Sequence, residues 1–431
     1  MTMVTAPITD AELKTLFACL DGVTHAGLAV SGGADSVALM ELARRWRAHA
    51  GADVARLSVL CVDHGLREGS EREAEWVAAR ADALGLAAAV LRWEPGDKQS
   101  RIQADARQAR YDLMARYAHE NALDALVTAH HLDDQAETVL MRLGRGSGLD
   151  GLTAIPEKGY WAGLPVIRPF LDIPKARLVA TLKAQGREWL EDPSNEDSSF
   201  ERVRVRHAMD RLEALGIGAG ALARTAKRLR RARTALDQLT SRFLRDSSQL
   251  DAAGFCRIDA PALREAPEEI ALRAMGRVIS GVGGRAAMPR LSKLEGLLEA
   301  LKARDDAPLT LGGCRVMPGQ DEILVLREPG RAGLGDITLK PGECRLWDNR
   351  YRVSLTRNSG TPVQVRALGM RGYGELRARL GHAVILPERA ADGLVSFWRE
   401  GELVAVPPLG FHARGAARAG CGAELVNHGL L

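Results

Sequence analysis

The chain of 431 residues is 46% hydrophobic, 26% charged and 4% aromatic, which is typical of a globular protein with roughly two to four domains. Its net charge of +4 permits a polyanionic partner but does not demand one. Its six cysteines include no C-x-x-C pair, which excludes zinc-type spacing and predicts the reduced thiols of a cytoplasmic protein. The sequence has no run of about 18 apolar residues and no basic start before an apolar stretch, so neither a membrane span nor a signal peptide is expected.

The first half of the chain alternates short apolar runs with segments of helical composition. Strands are predicted over residues 26–30, 57–62, 87–93 and 125–129, and helices over 71–84, 104–117, 133–143 and 175–185. A further helix follows the first strand, where Leu39, Met40, Ala43 and Trp46 recur at helical spacing. Because alternating strands and helices form parallel sheets covered on both faces, residues 1–212 are predicted to be a doubly wound α/β domain. Such domains bind ligands beyond the carboxyl ends of their strands.

The second half of the chain has a different pattern. Residues 144–174 are rich in Gly and Pro and are predicted to be mostly loop. Residues 213–327 are predicted to form a mostly helical domain with a basic run at 224–233. After a linker at 328–335, residues 336–431 carry short β-like runs and one helical period, which predicts a small α+β domain.

A glycine loop follows the first strand and precedes the next helix. Its residues are Ser31, Gly32, Gly33, Ala34, Asp35 and Ser36. Glycines let successive backbone N–H groups point at an anion, and the helix N-terminus adds a partial positive charge. Asp35 would repel a phosphate unless it holds Mg²⁺ or binds another part of the ligand. A turn with a small helix cap is the alternative, but the six-residue string after a strand favours a phosphate site. The loop is not of the Walker type, because the chain contains no G-K-[ST].

A string of histidines and acids follows the fourth strand. Asp134 and Glu137 are three residues apart, so they share one face of the predicted helix. His130 lies at the strand end, where ligands collect. Carboxylates near a helix N-terminus can be simply stabilising, and the residue types alone also allow a metal site. Recognition of a cationic substrate, with a nearby base for an amine nucleophile, is a further interpretation.

Arginines recur on two predicted helical segments. Arg107 and Arg110 face the same way, and Arg202, Arg204 and Arg206 alternate farther along the chain. Guanidinium groups suit phosphate recognition, and a series of them can follow a nucleic-acid backbone. The alternative is a solvated helix face, which the spacing alone favours for the first pair.

These strings together resemble a known group of enzymes. S-G-G-A-D-S resembles the signature S-G-G-x-D-S of the PP-loop ATP pyrophosphatases, which cleave ATP between the α and β phosphates and adenylate an oxygen of the substrate. The strings A-R-Q-A-R-Y, A-H-H-L-D-D-Q-A-E-T, R-G-S-G-L-D-G-L and E-D-P-S-N follow in that order. Over residues from about 26 to 206 the chain resembles the tRNA(Ile)-lysidine synthase family.

The resemblance implies a reaction and its partners. The family uses ATP and Mg²⁺ to ligate free L-lysine to C2 of the wobble cytidine in the CAU anticodon of tRNA(Ile). The C2 oxygen attacks the α-phosphate and pyrophosphate leaves, after which the lysine ε-amine displaces AMP. The resemblance further implies a cytoplasmic enzyme that needs no membrane, with the helical domain contacting tRNA, and it leaves room for a homodimer.

The resemblance also implies roles for individual residues. Ser31 to Ser36 would bind ATP, Asp35 would hold Mg²⁺, and Arg110 would contact phosphate or the adenylated intermediate. With His130, Asp35 and Arg110 are the predicted catalytic residues. The residues predicted to bind lysine are His130, Asp134 and Glu137, and those predicted to bind tRNA are Arg202, Arg204 and Arg206. The family commonly has R-N-x-x-R after D-x-S-N, and here Val203 takes the place of the Asn.

Three alternatives share parts of this pattern. A PP-loop tRNA thiolase would need cysteines for sulfur transfer or an iron–sulfur cluster, and the chain has no C-x-x-C. A small-molecule amidating ligase would share the glycine loop but not the histidine–acid string. A tRNA-binding protein with a degenerate nucleotide site would not be expected to keep Asp35 and Ser36.

Overall fold

The computed structural model describes residues 5–51, 54–63, 65, 69–93, 102–191, 199, 201–303, 307–380, 386–387, 389–413 and 420–426, with side chains in the fourth helix from residue 108 onward. The chain divides into two compact units, Met1–Arg233 and Thr234–Leu431. The three-domain division at 212–213 and 327–336 therefore stays a prediction. Among the described residues, no helix combines the length and the apolar character needed to cross a membrane.

The described residues of the first unit form six strands, eight helices and the first half of a ninth helix. The strands are β1 His25–Ala29, β2 Arg56–Asp63, β3 Ala87–Arg92, β4 Ala125–Val127, β5 Lys158–Trp161 and β6 Leu164–Ile167. The helices are α1 Asp10–Leu16, α2 Ala34–Ala50, α3 Ser70–Ala83, α4 Ile102–Glu120, α5 Leu132–Gly144, α6 Leu149–Leu152, α7 Lys175–Ala184, α8 Glu201–Ala214 and α9 Ala219–Ser247, the last of which continues past residue 233.

One sheet organises the first unit, with the strand order β3-β2-β1-β4-β6-β5. The pairs β1–β2, β1–β4, β2–β3 and β4–β6 are parallel, and only β5 runs antiparallel to its neighbour. The predicted doubly wound α/β fold is confirmed. Its strand order changes direction between β1 and β4, which opens a crevice at the carboxyl ends of these two strands.

The prediction that residues 144–174 are mostly loop is wrong for the β5–β6 hairpin. Only Ala162 and Gly163 separate the two strands, with φ of 48° and 81°. Two positive φ values are typical of the tight hairpin turn that usually carries Asn-Gly or Asp-Gly. Because Ala stands at the first turn position, the sequence hides this hairpin, which extends the sheet beyond β4.

Close packing beneath the sheet explains why β1 contains a glycine. A Cβ atom on Gly27 would lie 2.7 Å from Cδ2 of Leu123, which enters the core just before β4. On the other side of the sheet, Phe17 stacks on Trp46 of α2 with ring centroids 5.3 Å apart. The buried apolar face of α2 fixes the position of its N-terminus, where the glycine loop ends.

The second unit forms four further helices and three sheets within its described residues. The helices are α10 Ala260–Glu265, α11 Glu268–Val282, α12 Leu291–Lys302 and α13 Gly369–Leu380. The strands are β7 Ser248–Leu250, β8 Cys256–Asp259, β9 Leu309–Leu311, β10 Cys314–Met317, β11 Glu322–Arg327, β12 Ile337–Leu339, β13 Cys344–Trp347, β14 Tyr351–Leu355, β15 Val363–Ala367, β16 Val395–Arg399, β17 Glu402–Val406, β18 Phe411–His412 and β19 Cys421–Leu425.

The sheets of the second unit have the orders β7-β8-β11-β10-β9, β12-β15-β16-β17-β18 and β13-β14-β19. Residues 213–327 are mostly helical, as predicted, but they also hold the first of these sheets, which the sequence did not indicate. The C-terminal part is α+β, as predicted. Residues 328–335 connect β11 to β12 without regular structure.

A buried charge cluster joins the parts of the second unit on either side of that connection. Arg327 donates two hydrogen bonds to Asp348, at 2.9 and 2.8 Å. Arg350 is almost fully buried and donates to Asp348 and to the carbonyls of Gly254 and Gly393. Since buried guanidinium groups are stable only when paired and hydrogen-bonded, this cluster fixes β8, β11 and β14 in one arrangement.

Candidate active site

A cleft of about 750 Å³ opens in the first unit at the carboxyl ends of β1, β2 and β4. This is the crevice where open α/β sheets bind their ligands. The predicted site residues on its wall are Ser31, Gly33, Ala34, Asp35, Ser36, Arg110, His130, Asp134, Arg202 and Arg206. Gly32, Glu137 and Arg204, the other predicted site residues, are not among the residues that line it.

The glycine loop is held in shape by its own hydroxyls and main chain. Ser36 Oγ donates to the carbonyl of Gly33 at 2.9 Å and accepts the N–H of Ser31 at 3.1 Å. Helix α2 begins at Ala34, directly after this turn. The N–H groups of a helix's first turn have no partner within the helix, so this end of α2 can donate hydrogen bonds to an anion.

The stretch 187–191 supports the loop from behind. The N–H of Leu190 donates to the carbonyl of Gly32 at 2.9 Å. Gly32 has φ +91°, and a Cβ atom there would lie 2.7 Å from Leu190 Cδ1. At the start of the stretch, Arg187 Nε lies 3.0 Å from the fully buried carboxylate of Glu41 in α2. Both the backbone conformation and the packing therefore require glycine at position 32.

Asp35 has one oxygen that is paired and one that is not. Its Oδ2 lies 3.4 Å from His131 Nε2 and 3.3 Å from Lys175 Nζ. Its Oδ1 is buried and has no hydrogen-bond partner within the described part of the chain. Burial alone would raise the pKa of Asp35, but His131 and Lys175 outweigh it and hold this pKa below its ordinary value. Asp35 is therefore ionised at neutral pH.

His131, the neighbour of the predicted His130, is the buried centre of the acid string. Its ring lies 3.4 Å from Asp133 and 3.6 Å from Asp134, in addition to its contact with Asp35. Burial opposes its charge, but hydrogen bonds to Asp133 and Asp35 and the charge of Asp134 raise the pKa of His131 to about 9. As an imidazolium ion, it donates through Nδ1 to Asp133 and through Nε2 to Asp35, so the Asp134 N–H, 3.4 Å from the same Nδ1, finds no acceptor there.

These residues fit a magnesium ion that is bound mainly by a ligand's phosphates. The described residues contain no group of three or more His, Cys, Asp and Glu side chains placed to hold a metal ion. However, Mg²⁺ bound with a nucleotide commonly takes only one or two carboxylates from the protein. The buried Oδ1 of Asp35 is an oxygen of this kind without a partner.

Asp134 and Glu137 lie side by side on α5, and both accept hydrogen bonds from arginines of α8. Arg202 Nη2 donates to Asp134 Oδ1 at 2.5 Å, and Arg202 Nε donates to Glu137 Oε2. Arg206 Nε donates to Glu137 Oε1 at 2.9 Å. Arg202 and Arg206 thus share the inward face of α8, whereas Arg204 is exposed and donates to a main-chain carbonyl at 2.7 Å.

The remaining predicted residues are distributed around the cleft. His130 lies on the wall, with Nδ1 2.8 Å from Thr128 Oγ1. Arg110 is an exposed residue of α4 on the same wall. Of the other strings, the side chain of Arg107 and residues 192–195 of E-D-P-S-N lie outside the described residues. Arg145 of R-G-S-G pairs with Glu201 at the start of α8.

Two residues that contact Asp35 were not predicted from the sequence. His131 belongs to the A-H-H-L-D-D-Q-A-E-T string, but the sequence pattern assigns it no role of its own. Lys175 is the first residue of α7, and its N–H donates to Asp133 Oδ2 at 2.8 Å. No local pattern marks Lys175, because its partners lie far away in the sequence.

The chain is similar to known proteins over most of its length. A family profile described as the PP-loop domain matches residues 6–212. The tRNA(Ile)-lysidine synthase of Bradyrhizobium diazoefficiens is 44% identical over 302 residues, which cover 69% of this chain and 83% of that protein. That of Methylobacterium nodulans is 44% identical, covering 71% of this chain and 91% of the relative. That of Ruegeria pomeroyi is 36% identical, covering 89% and 88%.

Proposed function

Because the chain belongs to the tRNA(Ile)-lysidine synthase family, we propose that its cleft is the site where ATP activates a tRNA cytidine for attack by lysine. The protein is a ligase that forms a carbon–nitrogen bond in an ATP-dependent tRNA modification. The observation that carries the assignment of the site is the position of the glycine loop and the acid string on one cleft wall.

The proposed reaction has two steps. The cytidine C2 oxygen bonds to the α-phosphorus of ATP while the bond to the β-phosphate oxygen breaks and pyrophosphate leaves. The lysine ε-amine then bonds to C2, the C2–oxygen bond breaks with AMP as leaving group, and the amine releases protons. The N-terminus of α2 and the loop 31–36 would stabilise the charge that develops on the leaving pyrophosphate.

Mg²⁺ would be held by Asp35, and when bound it would supply positive charge to the phosphates. Lys175 lies beside the same carboxylate and would provide a second positive charge at this place. Arg110, which lines the same cleft, would contact phosphate or the adenylated intermediate. The apolar wall beside it, which includes Leu60, Tyr111 and Met114, suits the flat face of a nucleotide base.

The lysine amine must lose a proton before it attacks C2. His131 is already protonated at neutral pH because its pKa is raised to about 9, so it cannot serve as the base. His130 is the other imidazole on the wall, and we assign the role of base to it. Asp134 and Glu137 would bind the positive charge of lysine.

Contacts with tRNA are proposed for the arginines of α8. Arg204 is exposed, and Arg202 and Arg206 lie on the cleft wall. The basic run in α9 is partly committed to the protein itself: Lys227 pairs with Asp172, and Arg230 donates to two main-chain carbonyls. Since α8 contributes residues to the cleft wall and α9 does not, α8 is the nearer source of phosphate contacts.

The cysteine on the cleft wall, Cys61, argues against the thiolase alternative. Burial, together with the charge of Asp63, raises the pKa of the Cys61 thiol to about 12. A sulfur-transfer enzyme needs a thiolate or a cluster ligand, and this thiol remains protonated at neutral pH.

Incubating the protein with ATP, labelled lysine and bulk tRNA tests the proposal. Lysine is expected to enter only the isoleucine tRNA with the CAU anticodon, with one pyrophosphate and one AMP released for each lysine. Sulfur incorporation, or pyrophosphate release without lysine transfer, would contradict it. Light scattering of the same preparation tests whether the protein forms a homodimer, and cell fractionation tests the expected cytoplasmic location.

A further inference from the structure

Both oxygens of each carboxylate assigned to lysine already accept a hydrogen bond from the protein. Glu137 accepts from Arg202 on Oε2 and from Arg206 on Oε1. Asp134 accepts from Arg202 on Oδ1 and from the N–H of His131 on Oδ2. Every oxygen that could receive an ammonium group therefore already receives an N–H group of the protein.

In this arrangement the two carboxylates are buried, whereas the two guanidinium groups are partly exposed to solvent. The side chains of Glu137 and Asp134 are only 3% and 13% exposed, whereas those of Arg202 and Arg206 are 37% and 39% exposed. Between the two arginines, Val203 is buried where the family commonly has Asn. An apolar residue at this position favours packing of α8 over its release, so the pairing is a built contact of the two helices.

The charges of this cluster cancel. Two carboxylates and two guanidinium groups leave no net negative charge to attract the two ammonium groups of lysine. Burial opposes the charge of Arg202, but the neighbouring Asp134 and Glu137 still raise its pKa above the ordinary value, so the guanidinium stays charged. A lysine cation can replace a guanidinium group at these carboxylates only after that arginine has bound another anion.

We propose that Arg202 and Arg206 occupy the site at which the lysine cation binds, and that a phosphate of the tRNA backbone draws their guanidinium groups away from the two carboxylates. The released guanidinium groups bind the phosphate, and Asp134 and Glu137 then bind lysine. Guanidinium groups suit phosphate oxygens because of their planar, two-pronged geometry. This inference rests on the proposed function, and it adds that tRNA must bind before lysine can bind tightly.

The phosphate could come from RNA or from the nucleotide, and the arrangement favours RNA. The phosphates of ATP are assigned to the loop 31–36 at the end of β1, whereas α8 carries the exposed Arg204 beside the two paired arginines. Because linkage is reciprocal, lysine must strengthen tRNA binding by the same factor as tRNA strengthens lysine binding.

Equilibrium dialysis of labelled lysine against the full-length protein tests this order of binding. It is done with an ATP analogue whose α–β bridge cannot be cleaved, and with and without CAU-anticodon isoleucine tRNA. We expect the lysine Kd of the wild type to fall about tenfold or more when tRNA is present. Equal affinity in both conditions overturns the proposal, and so does a gain produced by the analogue alone.

One variant and one control test whether Arg206 competes with lysine for Glu137 or only holds α8 in place. Arg206→Gln is expected to tighten lysine binding without tRNA and to reduce the effect of tRNA, because Glu137 loses one of its two arginines. Arg47→Gln removes an exposed guanidinium in the last turn of α2, at the end away from the glycine loop, and it should leave tRNA-free lysine affinity unchanged. If Arg206→Gln has no effect on lysine affinity, the proposal is wrong.

Failure of the inference can be told apart from failure of the proposed function. If the wild type transfers lysine to tRNA but binds lysine equally well with and without tRNA, only the order of binding is wrong. If no lysine is transferred under any condition, the proposed function itself fails.

Discussion

Within the first unit, β1 ends in a loop whose main chain is arranged for an anion, whereas β4 ends in carboxylates that already hold arginines. The loop is shaped mainly by its own serines and glycines and by the helix that follows it, with one hydrogen bond from Leu190 to Gly32. Asp134 and Glu137 depend on α8, which arrives more than sixty residues later. The phosphate half of the cleft is thus preformed by local sequence, and the amine half is occupied by a distant part of the chain.

Removing the carboxylate of the loop should affect the phosphate half most. Asp35→Ala is expected to lower the rate of lysine ligation about 100- to 1,000-fold, the cost typical of losing one preorganised electrostatic group. Binding of tRNA, measured by filter retention, should survive. Asp82→Ala, which alters an exposed carboxylate of α3, is the control and should not change the rate. Loss of tRNA binding with Asp35→Ala would contradict the assigned role.

The pH dependence of stability tests the buried histidine that lies between the two halves. The pKa of His131 in the folded protein is about 9, above the unfolded value of about 6.5. Its stabilisation is therefore complete below pH ~6.5 and is lost as the pH rises through the folded pKa, by on the order of 3 kcal/mol in total.

Urea unfolding, followed by tryptophan fluorescence at pH 7 and pH 10, measures this loss. The free energy of unfolding should fall with pH in the wild type and change less in His131→Gln. Parallel curves for the two proteins would show that His131 does not carry the charge assigned to it.

Two neighbouring glycines of the loop should respond differently to the same substitution. Gly32→Ala places a Cβ against Leu190 at positive φ, so it should cost about 1 to 3 kcal/mol of stability and also weaken ATP binding. Gly33→Ala meets only Ser31 Oγ, at 4.0 Å, and its φ of −68° is ordinary. It should therefore leave stability nearly unchanged. Thermal unfolding and ATP titration of both variants distinguish the two cases, and equal destabilisation would contradict the packing described for Gly32.

A smaller effect is expected when the cation beside Asp35 is removed. Lys175→Met takes away one of the two groups that hold the pKa of Asp35 low. Ligation should therefore lose activity at a higher pH than in the wild type as the solution is made acidic. The acid limb of the pH–rate profile measures this shift, and Lys183→Met, at the other end of α7, is the control. An unmoved acid limb would mean that Lys175 does not influence the ionisation of Asp35.

The sequence was sufficient where the signal is local. The strand–loop–helix around Ser31 to Ser36 was predicted because the glycines, the buried strand and the helical period are contiguous. The shared helix face of Asp134 and Glu137 was predicted for the same reason. The hairpin at Ala162 and Gly163 was missed because a turn that normally needs Asn or Asp is made here by Ala.

The sequence was not sufficient where partners are distant. The spacing of Arg202 and Arg206 indicates that they share a helix face, but not that this face meets the acids of α5. Lys175 shows no pattern of its own, and its importance comes from its contacts with Asp133 in α5 and with Asp35 in α2. Periodicity determines which side of a helix is buried, whereas tertiary packing decides what it meets there.

The pairing of Lys175 with Asp35 has a consequence for incomplete chains. A Walker-type loop carries its phosphate-binding lysine within the motif itself, but here the lysine comes after every strand of the six-stranded sheet. A truncated or half-synthesised chain that ends before α7 would contain the entire glycine motif without this counter-charge. The charge balance of the loop is therefore completed only when the last strand of the sheet and the start of α7 have been synthesised.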